Sequence, residues 1–373
     1  MPEAQSFTPQ VAHLGKQGAL DGLRAIAVVA VMAYHFGLGG TRGAYVGVDI
    51  FFALSGFLIT TLMLEESPFS RPAFYVRRAF RLLPSLFALL VALLILLPST
   101  GHSSQLHEYY ANAGLALAYI TNWGLIVHPQ LHGPVIDHLW SLAIEEQFYL
   151  LWPIALAAIV RRYRRPLTPV LAVIAALAVW TLVLIAFGAS VDRIYLGTDT
   201  RADMLLIGCA FALARSSGGL VQLQQRLTRS WVTQVVPLAM MLVIVVGVGQ
   251  LHQTSLVEWS NSMTESFLAS ITLLGLIAGP QLPVARLLST RPIAHIGKIS
   301  YELYLWHYPI CFSLASTGFG LKHGVERAAA WGLASLLAAE LTHRLVSMPI
   351  QARRPAWARG GPRLTTQGSI TSA

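Results

Sequence analysis

The stretch Leu20-Asp21-Gly22-Leu23-Arg24-Ala25-Ile26-Ala27-Val28-Val29-Ala30-Val31-Met32-Ala33-Tyr34-His35 decides how this chain folds. It is long and apolar enough for a membrane-spanning helix, yet it contains Arg24 and His35. Eleven residues of α-helix make about three turns and rise about 16 Å, so the two side chains lie on one stripe at different depths. Ionisable groups inside a bilayer cost roughly 2.5–3.5 kcal/mol each on insertion scales, which makes both residues functional candidates.

The composition of the whole chain is that of a polytopic helical membrane protein. Of its 373 residues, 55% are hydrophobic and only 12% are charged, and the mean hydropathy is +0.58. Residues 1–19 are polar and the first apolar segment is long enough to span, so we expect no cleavable signal peptide. The net charge of +9 falls in short clusters between apolar runs. That is the positive-inside pattern, and we expect a lipid bilayer and no nucleic acid as a partner.

Neither the cysteines nor the loop histidines predict a metal or redox site. Cys209 and Cys311 both fall in apolar segments and are expected to be small packing residues. His128 and His132 have a spacing compatible with metal binding, but Pro129 lies between them and no cysteine accompanies them. We therefore expect no metal.

The basic clusters decide how many apolar segments span the membrane. Ten spans with both termini cytoplasmic keep every cluster inside, whereas an eleventh span at 111–126 would put three clusters outside. We therefore interpret 111–126 as a partly buried or re-entrant element of a long outer loop, 99–139. This predicts a polar N-terminal tail (1–18), an all-α transmembrane domain (19–348) and a basic, disordered cytoplasmic tail (349–373). The apolar segments are 21–38, 46–64, 82–98, 111–126, 141–160, 167–187, 202–215, 233–251, 265–279, 299–317 and 326–347.

The topology places one histidine and several acids at the same depth. His35, Asp49, Glu145 and Glu146 all fall in the outer half of their spans. A histidine beside carboxylates is suited to act as a general base, because the carboxylate orients the imidazole. We predict that His35 is the base and that Asp49 and one of the two glutamates orient it or balance its charge. The alternative is that these groups pair only to hold helices together.

A second polar group begins the span near residue 200. Arg201 lies between Asp199 and Asp203, again at the outer end, and we expect the three to shape an outer substrate pocket. His138 and Trp140, in and after the outer loop, are expected to contact a substrate there.

Five segments share a recognisable order of polar and aromatic residues. They are Leu20-Asp21-Gly22-Leu23-Arg24 followed by His35, residues 47–59 with Ser55-Gly56-Phe57, residues 75–84 with Arg77-Arg78-Ala79-Phe80-Arg81, residues 140–149 with Glu145-Glu146-Gln147, and residues 299–307 ending in Trp306-His307. Together they resemble the signature segments of the membrane acyltransferase-3 family, bacterial O-acyltransferases that modify surface polysaccharides and related glycans. The resemblance covers about residues 18–348, and five segments in order are specific evidence.

The resemblance implies a cytoplasmic acyl-CoA donor, expected to be acetyl-CoA, and an acceptor hydroxyl on a sugar reached from the outer side of a bacterial inner membrane. It implies that His35 is catalytic and Arg24 essential, and that Arg77, Arg78 and Arg81 form the basic donor-binding motif. Arginines suit this role because they bind phosphates through forked, charge-assisted hydrogen bonds. Simple topology determination is the alternative for the three-arginine cluster.

Other residues leave alternatives open. Tyr301 and Tyr304 are expected to line the donor channel, or else form an aromatic packing stripe with their neighbours. Ser55 lacks the Gly-x-Ser-x-Gly elbow of a serine nucleophile, so we expect Ser55-Gly56 to be a site of close helix packing. The oxyanion stabiliser is not apparent from the sequence, and both direct transfer and a covalent acyl-enzyme stay open.

The favoured hypothesis is a membrane O-acyltransferase that moves an acyl group from acyl-CoA to a hydroxyl of a glycan or glycolipid. The alternative substrate is a small glycosylated metabolite such as a macrolide sugar. A different class is a non-catalytic transporter or flippase of lipid-linked sugar or acyl groups, although the chain lacks the matched interrupted spans of many transporters. A homodimer is one option for the assembly.

Overall fold

The computed structural model describes residues 14, 17–39, 41, 43–66, 69–96, 106–133, 135–218, 231–248, 254–316 and 324–358, and every regular element in these ranges is helical. The α-helices are α1 (Gly18–His35), α2 (Gly47–Glu65), α3 (Arg71–Leu96), α4 (Leu106–Leu117), α5 (Thr121–Val127), α6 (Trp140–Arg162), α7 (Leu167–Ala186), α8 (Val191–Leu196), α9 (Thr198–Ser216), α10 (Val232–Val248), α11 (Ser255–Ala278), α12 (Pro283–Leu288), α13 (Arg291–Lys298), α14 (Ser300–Ser316), α15 (Gly324–Thr342) and α16 (Met348–Ala352).

Five helices in the described ranges are long and apolar enough to cross a membrane. The first, α1, has 18 residues and is therefore about 27 Å long, close to the hydrocarbon thickness of about 30 Å. The all-helical prediction is confirmed, and so is the presence of helices suited to a bilayer. The five spans are Gly18–His35, Ala44–Glu65, Arg71–Leu96, Asp137–Arg162 and Leu167–Ala186.

Helix α2 lies at the centre of the bundle and α7 at its periphery. In its most apolar window α2 is 78% buried, with Phe52 and Phe57 fully inaccessible, whereas the corresponding window of α7 is only 11% buried. Along α7, Val179 and Trp180 are exposed despite being large and apolar. An outward apolar surface of this extent is stabilised by lipid and not by water.

Small residues allow helices to approach closely where the site is built. A Cβ atom added at Gly56 of α2 would lie 1.9 Å from the Leu205 carbonyl oxygen of α9, and one at Gly208 would lie 2.0 Å from the Ala53 carbonyl oxygen. Because the two glycines face each other across one crossing, backbone packs directly on backbone. The predicted close packing at Ser55-Gly56 is confirmed for Gly56, whereas Ser55 lines a cavity described below.

Basic side chains of several helices gather at one end of the bundle. Arg77 near the start of α3 is ion-paired with Glu66 just after α2, with 2.7 Å between Nη2 and Oε2. Arg215 at the end of α9 lies 3.8 Å from Glu65 at the end of α2. The ends of α2 and α9 therefore meet the beginning of α3. His35 lies at the opposite end of α1 from Gly18.

The helix boundaries differ from the apolar segments in three places. The segment 111–126 forms α4 and α5, separated at Tyr119, whose φ is +54°. With 12 and 7 residues, these helices are about 18 and 10 Å long, too short to cross singly. Helix α3 begins at Arg71, although its apolar run begins at 82, and α11 begins ten residues before its own run.

Ordered structure extends beyond the predicted domain boundary at 348. After α15, His343–Ser347 form a π-helical turn that continues into α16, and Ala356–Ala358 form a 3-10 turn whose last residue is fully buried. The first part of the segment predicted to be disordered is thus helical, because it packs on the bundle. Of the predicted N-terminal tail only residues 14, 17 and 18 are described, and residues 359–373 lie outside the described ranges.

Candidate active site

Five helices line a first cavity, here called the arginine cavity, whose space of about 680 Å³ includes solvent at its mouth. Its lining includes three arginines, Arg24, Arg78 and Arg81, with Glu145 as the single acidic residue. The lining therefore has a net positive charge and suits an anionic ligand. The other lining residues are Val48, Phe51, Ser55, Leu82, Ser141, Leu142, Tyr149, Ser300, Tyr301 and Tyr304.

The register of α3 separates the three arginines of the basic motif. Arg78, Arg81 and Leu82 are spaced by three and four residues, so they share the helix face that lines the cavity. Arg77 is rotated by about 100° and pairs with Glu66 instead. The motif thus combines one arginine that joins α2 to α3 with two that face the cavity, and Arg77 does not line the predicted donor site.

The guanidinium of Arg78 holds the two adjacent glutamates of α6. Its Nε donates to both Glu146 carboxylate oxygens at 2.8 and 2.9 Å, and its Nη2 lies 3.9 Å from Glu145 Oε2. The guanidinium also stacks 3.4 Å above the Tyr149 ring. The structure does not bring Glu145 or Glu146 to His35: Glu145 lines the arginine cavity, and both carboxylates face Arg78, about one and a half turns from the start of α6.

Two arginines of the cavity are left available to a ligand. Arg24 has only a long contact, 3.9 Å, with Asp21 one turn earlier on α1. Arg81 forms no ion pair within the part of the chain that the structure describes. Tyr301, predicted to line a donor channel, does line this cavity and donates to the Leu82 carbonyl at 3.0 Å.

A second, larger cavity of about 1530 Å³, here called the histidine cavity, contains His35, His132 and His138. Its lining carries three acids, Asp137, Asp192 and Glu258, and no lysine or arginine among the described residues. Aromatic rings supply much of the remaining wall. The full lining adds Val31, Tyr34, Tyr45, Val48, Leu125, Trp140, Val191, Tyr195, Leu196, Tyr304 and Tyr308.

Only Val48 of α2 and Tyr304 of α14 line both cavities. The Tyr304 hydroxyl donates to the His138 carbonyl oxygen. The Tyr304 hydroxyl oxygen lies 2.7 Å from Ser141 Oγ. Because the Tyr304 proton is already donated to His138, Ser141 is the donor in this second bond. Both cavities also lie along α1, with Arg24 in one and His35 in the other. The two residues of the predicted stripe therefore line two neighbouring cavities that have Val48 and Tyr304 in common.

His35 is the last residue of α1 and is half-buried at the wall of the histidine cavity. Its Nδ1 lies 3.0 Å from Nε2 of His307 on α14, and the Tyr308 ring packs edge-on against it at 4.9 Å. The C-terminal end of a helix carries partial negative charge, which stabilises an imidazolium by about 0.3–1 kcal/mol. This position suits a residue that accepts a proton during a reaction.

Asp49 is not a partner of His35, which corrects the sequence prediction. Its carboxylate is fully buried and accepts from Arg201 Nη2 at 2.5 Å, while Arg201 Nη1 donates to Ser262 at 2.6 Å. The reason is rotational: Val48 faces the cavities, and the next residue is turned by about 100° toward α9 and α11. Asp49 therefore joins three helices behind the cavity wall.

The predicted acceptor group of α9 is likewise dispersed. Asp199 pairs with Arg193 at 2.5 Å, and Asp203 accepts from the indole of Trp259 at 3.1 Å. Neither acid nor Arg201 is among the described residues that line the arginine or the histidine cavity. Arg201 nevertheless lies directly behind the wall, 4.0 Å from Glu258. Successive positions on one helix face different directions, so neighbours in sequence found different partners.

His138 and Trp140 lie where an acceptor residue was predicted, at the wall of the histidine cavity. Neither ring nitrogen of His138 has a hydrogen-bond partner within the described residues, although the side chain is almost fully buried. A buried imidazole without partners is costly, and a bound substrate would satisfy it. Trp140 packs against Tyr195, with 4.5 Å between ring centroids.

The sequence does not single out two residues of the histidine cavity, Glu258 and Tyr195, or the residue that contacts His35 from behind its wall, His307. The contact between His307 and His35 joins positions 272 residues apart. Glu258 lies outside the apolar segments, although an acid in the first turn of a helix is a recognisable pattern. Burial, assisted by the Glu258 carboxylate, raises the pKa of Tyr195, so its phenol stays protonated and can donate to a ligand.

The residues with metal-compatible spacing have other partners. His132 Nδ1 lies 3.1 Å from Asp137 Oδ2, and His128 lies beside Gln130. Cys209 and Cys311 are buried free thiols, in line with a packing role. Cys311 donates to the backbone carbonyl of His35 at 3.3 Å and so holds the end of α1.

Comparison with known proteins places the chain in a family. The family profile described as an acyltransferase domain, that of the acyltransferase-3 family, matches residues 17–339. The chain is 31% identical over 347 residues to the peptidoglycan O-acetyltransferase OatA of Listeria monocytogenes, covering 89% of this chain and 55% of that protein. It is also 31% identical over 347 residues to the O-acetyltransferase OatA of Staphylococcus aureus, covering 90% and 57%.

This chain thus spans a little over half the length of these curated relatives. No solved structure matches it significantly. The match extends from the beginning of α1 almost to the end of α15 and includes every helix that lines the two cavities. The chain therefore belongs to the acyltransferase-3 family of membrane proteins.

Proposed function

We propose that the protein is a membrane O-acyltransferase that takes an acyl group, expected to be acetyl, from acyl-CoA in the arginine cavity. It delivers this group to a hydroxyl of a glycan in the histidine cavity. One observation supports the proposal: two cavities of different charge lie along α1, and Val48 and Tyr304 line both of them. A thioester that passes these two residues meets His35.

The residues of the arginine cavity fit the donor. Coenzyme A has an anionic nucleotide end and a long, thin, uncharged pantetheine arm. Arg24 and Arg81 can bind its phosphates through charge-assisted hydrogen bonds, because neither is engaged in a close ion pair within the described residues. The rise from Arg24 to His35, about 16 Å, is on the scale of the pantetheine arm. The nucleotide therefore stays on the arginine side while the thioester reaches the histidine side.

His35 performs the proton transfer in this proposal. It removes the proton of the acceptor hydroxyl as the oxygen attacks the thioester carbonyl carbon, and the C–S bond then breaks. The proton passes from the imidazolium to the leaving thiolate, so the products are an ester and free coenzyme A thiol. His138, whose ring nitrogens lack partners in the described residues, is available to contact the acceptor or the carbonyl oxygen.

The histidine cavity fits an uncharged sugar. Sugar rings present C–H faces that pack on aromatic side chains, and their hydroxyls bond to acids and phenols. Trp140, Tyr195 and Glu258 supply these groups, and the three acids of the lining disfavour an anionic acceptor. The names of the two OatA relatives support acetyl as the transferred group, and one name supports a cell-wall glycan as acceptor.

The proposed topology has ten spans in the bacterial inner membrane, with both termini cytoplasmic and one transmembrane unit over 19–348. It is supported by the basic residues gathered where α2, α3 and α9 meet, since such clusters remain inside. The test uses single cysteines in a background without the two natural ones. Gln130→Cys should react with an impermeant thiol reagent on intact cells, whereas Arg161→Cys should react only after permeabilisation. The reverse pattern would contradict the topology.

The activity test follows coenzyme A release from acetyl-CoA by the purified protein, with and without a glycan acceptor. His35→Ala should abolish release without reducing expression, whereas His128→Ala, at an exposed position lining neither cavity, should have no effect. Near-normal turnover by His35→Ala would remove this residue from the mechanism.

A second pair of variants tests the donor site. Arg81→Ala should raise the donor KM about 10- to 150-fold, the equivalent of one hydrogen bond to a charged group. Arg161→Ala, at an exposed position at the end of α6, is the matched control. An unchanged donor KM in Arg81→Ala would argue that the arginine cavity does not hold the nucleotide end.

A further inference from the structure

His307 is fully buried on α14, and its surroundings determine which ring nitrogen carries its proton. Nδ1 lies 2.7 Å from the Tyr304 carbonyl oxygen and 3.2 Å from the Leu303 carbonyl oxygen. Carbonyl oxygens only accept hydrogen bonds, so Nδ1 must be the protonated nitrogen. A neutral His307 then has an unshared electron pair on Nε2.

That electron pair faces His35. His307 Nε2 and His35 Nδ1 are 3.0 Å apart, which is hydrogen-bond distance. One of two facing nitrogens must donate, and His307 Nε2 cannot do so while its ring is neutral. His35 is therefore protonated on Nδ1, and its Nε2 has the free electron pair. The structure gives His35 Nε2 no hydrogen-bond partner within the described residues, and the ring lines the histidine cavity.

We propose that His307 is a positioning residue that holds His35 in the Nδ1–H tautomer, so that Nε2 is the atom that takes the proton of the acceptor hydroxyl. This inference rests on the proposed function and deepens it. The backbone carbonyls of α14 hold the tautomer of His307, and His307 in turn holds the tautomer of His35. As a result, His35 Nε2 faces the substrate with a free electron pair. A carboxylate commonly fills this position beside a catalytic histidine, and here a neutral imidazole takes its place.

The neutral partner has an energetic consequence. When His35 accepts the proton, its Nδ1–H becomes part of an imidazolium, and the hydrogen bond to His307 becomes charge-assisted. The bond therefore strengthens as the reaction proceeds, which favours the transition state over the ground state. The groups that face His307 are His35, His138, Tyr304 and Tyr308. None of these is a carboxylate, so no fixed negative charge has to be held next to the thioester.

Two variants of His307 separate positioning from packing. His307→Leu removes the acceptor and should lower kcat about 10- to 150-fold at unchanged donor KM, because one hydrogen bond to a charged group is lost. His307→Gln keeps an oxygen that can accept from His35 and should recover at least part of that loss. His128→Leu is the matched control at an exposed loop position. Equal activities of His307→Leu and the unmodified chain, or no advantage of His307→Gln over His307→Leu, would overturn the inference.

A direct measurement does not depend on any variant at position 307 folding. Nitrogen-15 spectra of the full chain with labelled histidines, assigned by the signals lost in His35→Ala, report the tautomer of His35. The expected result is Nδ1–H, whereas Nε2–H would overturn the inference even if the enzyme is active. Failure of the proposed function is a different result: it is full acyl transfer by His35→Ala.

Discussion

Replacing Arg201 by methionine should destabilise the bundle strongly, because it leaves a buried carboxylate without its partner. Asp49 is fully buried and Arg201 is 1% exposed. The substitution removes the bond to Asp49 at 2.5 Å and the bond to Ser262 at 2.6 Å. It also removes the packing of the guanidinium on Tyr195 at 4.9 Å. Breaking a buried ion pair from one side costs about 3–5 kcal/mol.

The double variant Asp49→Leu with Arg201→Met should recover most of this loss. Replacing both members of a buried ion pair by apolar residues of similar size is often neutral or stabilising. Glu258, which lies 4.0 Å from Arg201, lines the histidine cavity and can be hydrated there. Thermal unfolding of the purified protein in detergent measures both changes. The single variant should lower the midpoint by on the order of 10 °C.

The same pair of variants decides what Asp49 does. If Asp49 only joins α2 to α9 and α11, the stable double variant should release coenzyme A at close to the normal rate. If Asp49 acts on His35, as the sequence suggests, the double variant should be stable but inactive. That second result would refute the assignment of Asp49 to the helix-joining network. A single variant as stable as the unmodified chain would refute the energetic reasoning itself.

Two further predictions concern the glycine crossing and the residues shared by the two cavities. Gly56→Ala should destabilise the protein by about 1–3 kcal/mol in thermal unfolding, because its Cβ would lie 1.9 Å from the Leu205 carbonyl oxygen. Gly114→Ala is the control and should not destabilise the protein, because its Cβ would meet nothing within 4 Å. Val48→Trp should fill the proposed passage beside Tyr304 and abolish acyl transfer. The variant should still bind coenzyme A, which is measured by ligand-induced thermal stabilisation. Normal transfer would show that the thioester takes another path.

The sequence predicted well those features that depend on position along a single helix. Periodicity placed Arg24 and His35 on one stripe of α1, and both line the cavities. Hydropathy found the apolar centre of each long helix but not its ends, because polar residues continue a helix wherever they find partners. Arg77 does so at the start of α3 and Glu258 at the start of α11.

The partners of buried charges could not be predicted in the same way. A rise of 1.5 Å per residue gives depth, but each residue also rotates the side chain by 100°. Depth alone grouped Asp49 and Glu146 with His35. Because of helix rotation and helix crossing, Asp49 instead pairs with Arg201, and Glu146 pairs with Arg78. His307 shows the same limit, because contacts between distant helices leave no periodic signal.

In the proposed mechanism, the opposite charges of the two cavities keep donor and acceptor separate. A phosphate-bearing donor is attracted by the arginines and repelled by Asp137, Asp192 and Glu258 in the histidine cavity. Only an uncharged, narrow group can then pass Val48 and Tyr304 at low cost, and a pantetheine thioester is such a group. A neutral imidazole pair at the far side adds no charge to oppose it. In the proposed mechanism, two properties therefore select which part of the donor crosses: the width of the passage and, to the same extent, the charge distribution on either side of it.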